Sequence, residues 1–377
     1  MARKRVNTRG YADWLEREGL PVYGGYAIPD VHKLDLAPSA RLGGAGAYVR
    51  LEGTDDLTGL YVHEIPPGQA LEPERHLYEE VIYVLSGHGR AEYWRDDTGR
   101  VQFDWQPGSI FASPLNTWHR YVNTSDREPT RFMGVTNAPV LMNIFRDTDF
   151  VFANDHFFAN RFTGRYDWSS SFFSGDPTEV DTEYLDGEAV ERNYETNFVA
   201  DVRQMPLEDM PEAISRGEGL RQRKLFLANN TMLTFAHEYE PGTYTKGHRH
   251  MGGYHVVILG GSGYTLMWPP DAGVRPWEEG KHDQVVRVDY NPGTVFVPPT
   301  NWWHQHFNTG TAPVLYVPTT WGLGRRMPNG DLASLVSMRD GGDQIDYDLE
   351  DPHIRDLFGE ALRQSGNANR MTQVSGG

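Results

Sequence analysis

The sequence predicts an all-β protein made of two copies of one barrel. Two observations predict it. The chain has 377 residues with 40 glycines, 24 prolines and 12% aromatic side chains. That punctuation suits many short strands and tight turns rather than a helical bundle. The second observation is a repeat. Gly68 to Gly242 and His76 to His250 share an offset of 174 residues, and Gly108 to Gly293, His119 to His304 and Asn123 to Asn308 share one of 185. A pattern recurring at a fixed offset marks a duplicated unit. The second copy carries 11 extra residues between its two halves, where Pro269 to Asp283 reads as a long hairpin loop.

Taken in order, residues 8–20 read as a short helix. Thr8 caps it, Tyr11, Trp14 and Leu15 form its apolar stripe, and Gly19 stops it. Tyr23 to Leu51 reads as an arm and entry strands lying on the first barrel, so residues 1–50 form an N-terminal segment. Residues 51–140 form the first barrel. Residues 141–220 connect the copies, and runs such as Phe150-Val-Phe and Tyr166-Asp-Trp make them too aromatic for a free linker. Met210 to Arg216 reads as a short helix within this connector. Residues 221–325 form the second barrel and 326–377 a C-terminal extension. Its helix opens at Asp351-Pro352, buries Ile354, Leu357, Phe358 and Leu362, and stops at Gly366. Residues 367–377 are expected to be disordered.

Chemistry concentrates in the second copy. Gly242-x5-His248-x-His250 is followed by Gly293-x5-Pro299-x-Asn301-x2-His304-x3-Asn308. On a strand, a spacing of two puts His248 and His250 on one face. His304 is assigned to the apolar strand opened by Thr294-Val-Phe-Val-Pro. Three histidines converging from two strands can hold a metal and leave positions open for substrate or dioxygen. His306 shares the face of His304. Trp302, Trp303, Trp268, Tyr264 and Phe307 lie near in sequence, as pocket lining or as core. The first copy keeps His76 and His119 but has Glu74 in place of the first histidine. Alternation puts Glu74, His76 and Glu80 on one face, which gives a second ligand set of Glu74, His76, Glu80 and His119.

These two motifs, present twice, resemble those of the cupin superfamily. The resemblance implies a bicupin, with two double-stranded β-helix (jelly-roll) barrels flanked by the two terminal helices. Asn301 stands where that family's motif has glycine, and asparagine also tolerates left-handed backbone. The family's first motif also carries a glutamate, which Glu80 supplies in the first copy. In the second copy Tyr254 or His255 stands there instead. An all-histidine site is similar to those of gentisate-type ring-cleaving dioxygenases. The resemblance therefore implies an Fe(II) dioxygenase acting on a small hydroxylated aromatic acid or similar chelating acid, with O2 as co-substrate. Tyr254 and His255 are then the candidate catalytic acid–base residues. A non-redox lyase, isomerase or decarboxylase using Mn, Zn or Ni is the alternative reading. A non-catalytic binding protein is a further one.

Bulk properties bound the rest. With no cysteine, the chain has no disulfide and no thiolate ligand. The formal charge of −17 argues against nucleic acid or an anionic membrane as partner. The start, Met1-Ala-Arg-Lys-Arg, lacks a following apolar region, so a soluble cytoplasmic protein is expected. Cupin barrels commonly pair through their sheets, which implies a homo-oligomer.

Overall fold

The computed structural model describes residues 9–95, 98–158, 161, 178–185, 188–211, 215–321 and 332–372. The architecture is that of two jelly rolls, each a large sheet facing a smaller one. In the first, the large sheet runs in the order 22–23, 45–49, 59–65, 130–136, 80–86, 110–111, 198–199, and 118–123, 89–95 and 98–105 form the small sheet. In the second, 221–227, 232–239, 314–321, 255–260 and 295–296 form the centre of the large sheet. Facing them are 286–290, 263–268, 303–308, 247–248 and 344–345.

Period-two alternation explains how the two units pack. In the strand Glu80–Ser86, Ile82 and Val84 point into the first barrel, where they meet Tyr93, Phe103 and Phe132. Val81, Tyr83 and Leu85 point the other way, into a core shared with Leu225, Leu227, Val257 and Val317 of the second barrel. Both faces are buried, so these strands read as continuous apolar runs rather than as alternation. Each such aliphatic side chain contributes about 1.5–3 kcal/mol on burial.

The terminal helices cover opposite ends. The N-terminal helix Gly10–Glu18 buries Tyr11, Trp14 and Leu15 against Tyr48, Tyr78, Met142 and Val151, and so lies over the first barrel. It begins after Arg9, which makes no side-chain cap, and Thr8 lies outside the described residues. Gly19 ends it in the left-handed conformation, as expected. The C-terminal helix Pro352–Ser365 buries Ile354, Phe358 and Leu362, with Leu357 partly buried. Asp351 caps it, and its second oxygen also accepts from the backbone of Trp277 and Glu278.

Several sequence expectations are corrected. The arm does not lie only on the first barrel. Ala27–Ile28 pairs with Val295–Phe296 of the second, while Phe198–Val199 of the connector pairs with Ile110–Phe111 of the first. The strand Ala45–Val49 is already part of the first large sheet, ahead of residue 51. His304 is not on the Thr294 strand. The chain turns at Asn301, whose φ is +63°, and His304 lies in the next strand, Trp303–Asn308. Trp268, Tyr264, Trp303 and Phe307 pack beneath the C-terminal helix, and Trp302 packs on Tyr26, so these aromatics are core. Parts of the connector, including 162–177, and the centre of the expected 210–216 helix lie outside the described residues, as do 373–377.

Candidate metal centre

In the second barrel, His248 ends a two-residue strand and is the register partner of His304. His250 follows in an irregular stretch, where its carbonyl accepts from Asn301 N at 2.9 Å. The left-handed Asn301 thus ties the turn before His304 to His250. Ligand nitrogens of His248, His250 and His304 lie within 4.8 Å of one another. Each Nδ1 faces a backbone carbonyl: His248 that of Lys246 at 3.0 Å, His304 that of Trp302 at 3.0 Å, His250 that of Met251 at 3.3 Å. A proton on Nδ1 leaves the Nε2 lone pair free, the tautomer a metal requires. Burial holds His248 and His304 well below the usual imidazole range, with neighbouring histidines and Arg216 adding to it. Burial and Arg216 take His250 down to about 3.

The three rings open into a cavity of about 30 Å³, lined also by Arg216, His237, Tyr254, His306 and Tyr316. That is room for about two waters. No carboxylate among the described residues lines it. Tyr254 faces the cavity, its ring 4.7 Å from His250. His306 does too, 5.6 Å from His304. His255 does not. It shares the outward face of its strand with Val257, toward the first barrel, and both its ring nitrogens are buried without partners. Of the two candidate acid–base residues, only Tyr254 reaches the cavity. Two groups escaped the sequence reading. Arg216 comes from the segment ahead of the barrel and carries no motif. His237 stands 174 residues after His63, a repeat signal that was available.

In the first barrel, ligand atoms of Glu74, His76 and His119 also lie within 4.8 Å of one another. Residues 74–79 are not a regular strand; Glu74 makes one bridge to His119, and the strand starts at Glu80. Glu80 nonetheless arrives between the imidazoles, its Oε1 3.7 Å from the Nε2 of His76 and of His119. Tyr61, Ser113 and Tyr121 donate to its carboxylate at 2.6, 2.9 and 3.0 Å. Burial pushes Glu80 up, but His76, His119 and Tyr61 outweigh it and hold it below the carboxylate range. The Nδ1 atoms of His76 and His119 face the carbonyls of Tyr78 and Thr117. Both Nε2 atoms are buried and lack hydrogen-bond partners. Tyr78 stacks on His76 at 3.6 Å, and Arg41 pairs with Glu74 and Glu18. His76, His119 and Glu80 are buried, while Glu74 lines a surface cavity of about 430 Å³ bounded by Trp14, Trp118 and Phe152.

Both clusters fit a divalent ion. Two imidazoles with two carboxylates suit Mn²⁺ or Fe²⁺, and three imidazoles suit Zn²⁺, Fe²⁺ or Ni²⁺. Residues 61–136 match the model of the cupin domain. The first barrel is a cupin domain. The second repeats its topology and motif spacing, which makes the chain a bicupin. No curated protein matches it by sequence. Among solved structures it is similar to oxalate decarboxylase of Bacillus subtilis. One structure of that enzyme at pH 4.6 is 13% identical, with 79% of this chain and 76% of that one covered and a TM-score of 0.48. Another, from work on its Mn(II) centres, is 13% identical over 79% and 77%, also at 0.48. Likeness at this level carries no information on activity.

Proposed function

We propose that this bicupin is a metal-dependent enzyme. Its active site is the second barrel, and its substrate is a small organic acid that chelates through two oxygens. The reaction class is non-redox: lyase, decarboxylase or isomerase. One observation carries this reading. Three neutral histidines present free Nε2 lone pairs to a cavity that Arg216, Tyr254 and His306 also line, with no carboxylate among the described residues. A divalent ion held by His248, His250 and His304 would supply Lewis acidity to polarise a bound carbonyl or carboxylate. The chain's own groups do the rest. The buried side chains of Phe235, Tyr316 and Val256 form the apolar wall of the cavity. Tyr254 and His306 stand where a proton is to be held or delivered. The first cluster takes a second ion in a structural role, with its imidazoles and Glu80 buried and Tyr78 stacked on His76.

The Fe(II) dioxygenase reading remains the second, favoured by the all-histidine donor set. The two separate on oxygen dependence. Protein loaded in turn with Mn²⁺, Zn²⁺, Ni²⁺ and Fe²⁺ is offered small hydroxy-, oxo- and dicarboxylic acids, in air and under argon. Turnover that persists under argon is expected. Turnover that needs oxygen and iron would move the assignment to the dioxygenase. Tight acid binding with no turnover under any condition would leave a binding protein.

A further inference from the structure

Each barrel has an arginine just ahead of an equivalent strand of its large sheet, the one next to 59–65 in the first and next to 232–239 in the second. In the first barrel Arg41 precedes Ala45–Val49, and in the second Arg216 precedes Arg221–Leu227. Arg41 is answered by two carboxylates, Glu74 and Glu18. Arg216 is not. It lines the cavity of His248, His250 and His304, and no carboxylate pairs with it among the described residues. Its Nη2 donates to Ser334 Oγ at 2.6 Å, while its Nε is buried with no partner. Its charge is felt by His237, His248, His250, His304 and His306 alike.

A guanidinium cannot shed its proton in a protein, and Arg216 is half-buried with its Nε turned inward beside neutral imidazoles, a position that favours an anion. A divergence within the motif removes one of the two answering carboxylates. Where the first barrel has Glu74 the second has His248, so the internal counter-ion is gone and the cation remains. We infer that Arg216 is the carboxylate anchor of the second site: it replaces the lost Glu74 contact with the carboxylate of the substrate, and so restricts the site to small acids over their neutral analogues. The inference rests on the reading of the second barrel as a metal site for chelating acids, and names what selects among chelators. His237 adds a second open position. Its Nδ1 lies 3.0 Å from Tyr316 OH, and its buried Nε2 has no partner.

The test uses full-length protein loaded with Co²⁺ and titrated by its visible spectrum. Glycolate and glycolamide are the probes, since both offer two oxygens and only the first is an anion. Imidazole is the control that binds metal without needing Arg216. Wild type is expected to prefer glycolate by about tenfold or more. R216Q should hold cobalt at the wild-type ratio, bind imidazole unchanged and lose the preference. R216K, which keeps the charge without the fork, should retain part of it. If R216Q loses metal, R216K carries the comparison. A variant with full metal and an unchanged preference for glycolate overturns the anchor but leaves the metal site for acids standing. Wild type that holds cobalt yet binds neither probe overturns that broader reading, and the inference with it.

Discussion

The two barrels share one backbone plan and differ in what they do with charge. In the first, carboxylates and an arginine answer one another. Glu74 and Glu18 pair with Arg41, Glu80 bridges His76 and His119, and three hydroxyls saturate Glu80. In the second, Tyr254 stands where Glu80 stands and His248 where Glu74 stands. Among the described residues no carboxylate lines the second cavity and none pairs with Arg216. The covering differs in the same sense. The first mouth lies under the N-terminal helix and Phe152, whereas Met251, beside His250, is 57% exposed. The comparison teaches that a motif alone does not make a reactive site. The first copy's internal counter-ions suit retention of an ion, while the second copy's cavity, with Arg216 on its wall and no carboxylate among the described residues, suits a small anion.

The largest way to break the comparison is to remove a ligand from one side only. His304→Ala should abolish turnover and take away the second barrel's ion, while a thermal melt still shows a folded chain. Activity surviving in His304→Ala would move the chemistry to the first barrel. Next is Glu80→Ala, which leaves three hydroxyls without their acceptor and two imidazoles without the carboxylate between them. Removing one side of such a buried network costs about 3–5 kcal/mol. A urea titration should show that loss, and a variant as stable as wild type would contradict a structural role for the first cluster.

Acid sharpens the contrast between exposed and buried histidines. His255 faces the other barrel, and burial alone takes its ring down to about 3. In the unfolded chain it ionises near the ordinary value of about 6.5. The unfolded state therefore takes up the proton first. Its contribution to stability is complete above about pH 6.5 and is lost as pH falls toward 3, at up to about 1.4 kcal/mol per pH unit. His255→Leu should flatten the fall of the urea midpoint between pH 7 and 4. An unchanged slope would show that other groups govern acid sensitivity. The smallest effect is at the C-terminal helix, where Asp351→Ala should cost about 1–2 kcal/mol by denaturation, since the lost oxygens cap His353 N and hold the Trp277 loop. No loss would mean that the cap is supplied from elsewhere.

Much of this was legible in the chain. The duplication, the all-β plan and the two histidine clusters follow from offsets of 174 and 185 and from Gly/Pro punctuation. Asn116 and Asn301 both adopt positive φ, at +53° and +63°, as the motif required at Asn301. What could not be read has physical reasons. Tyr254 and His255 were indistinguishable because no regular strand spans residues 249–254, so alternation from His250 has no fixed phase. The strand exchange of Ala27–Ile28 and Phe198–Val199 is a long-range pairing of two-residue segments with no local signal. Arg216 sits in an irregular segment whose sequence says nothing about a cavity built by strands far along the chain. An arginine's meaning depends on the carboxylate it lacks, and that is a property of the fold.

The most direct measurement is metal per chain, by elemental analysis, before and after brief exposure to a chelator, for wild type, His250→Ala and His76→Ala. The account predicts that the chelator quickly strips an ion from wild type and from His76→Ala. It predicts that His250→Ala never held that ion and loses nothing further. A readily stripped ion that survives His250→Ala and vanishes in His76→Ala would contradict it, and would place the exchangeable site in the first barrel.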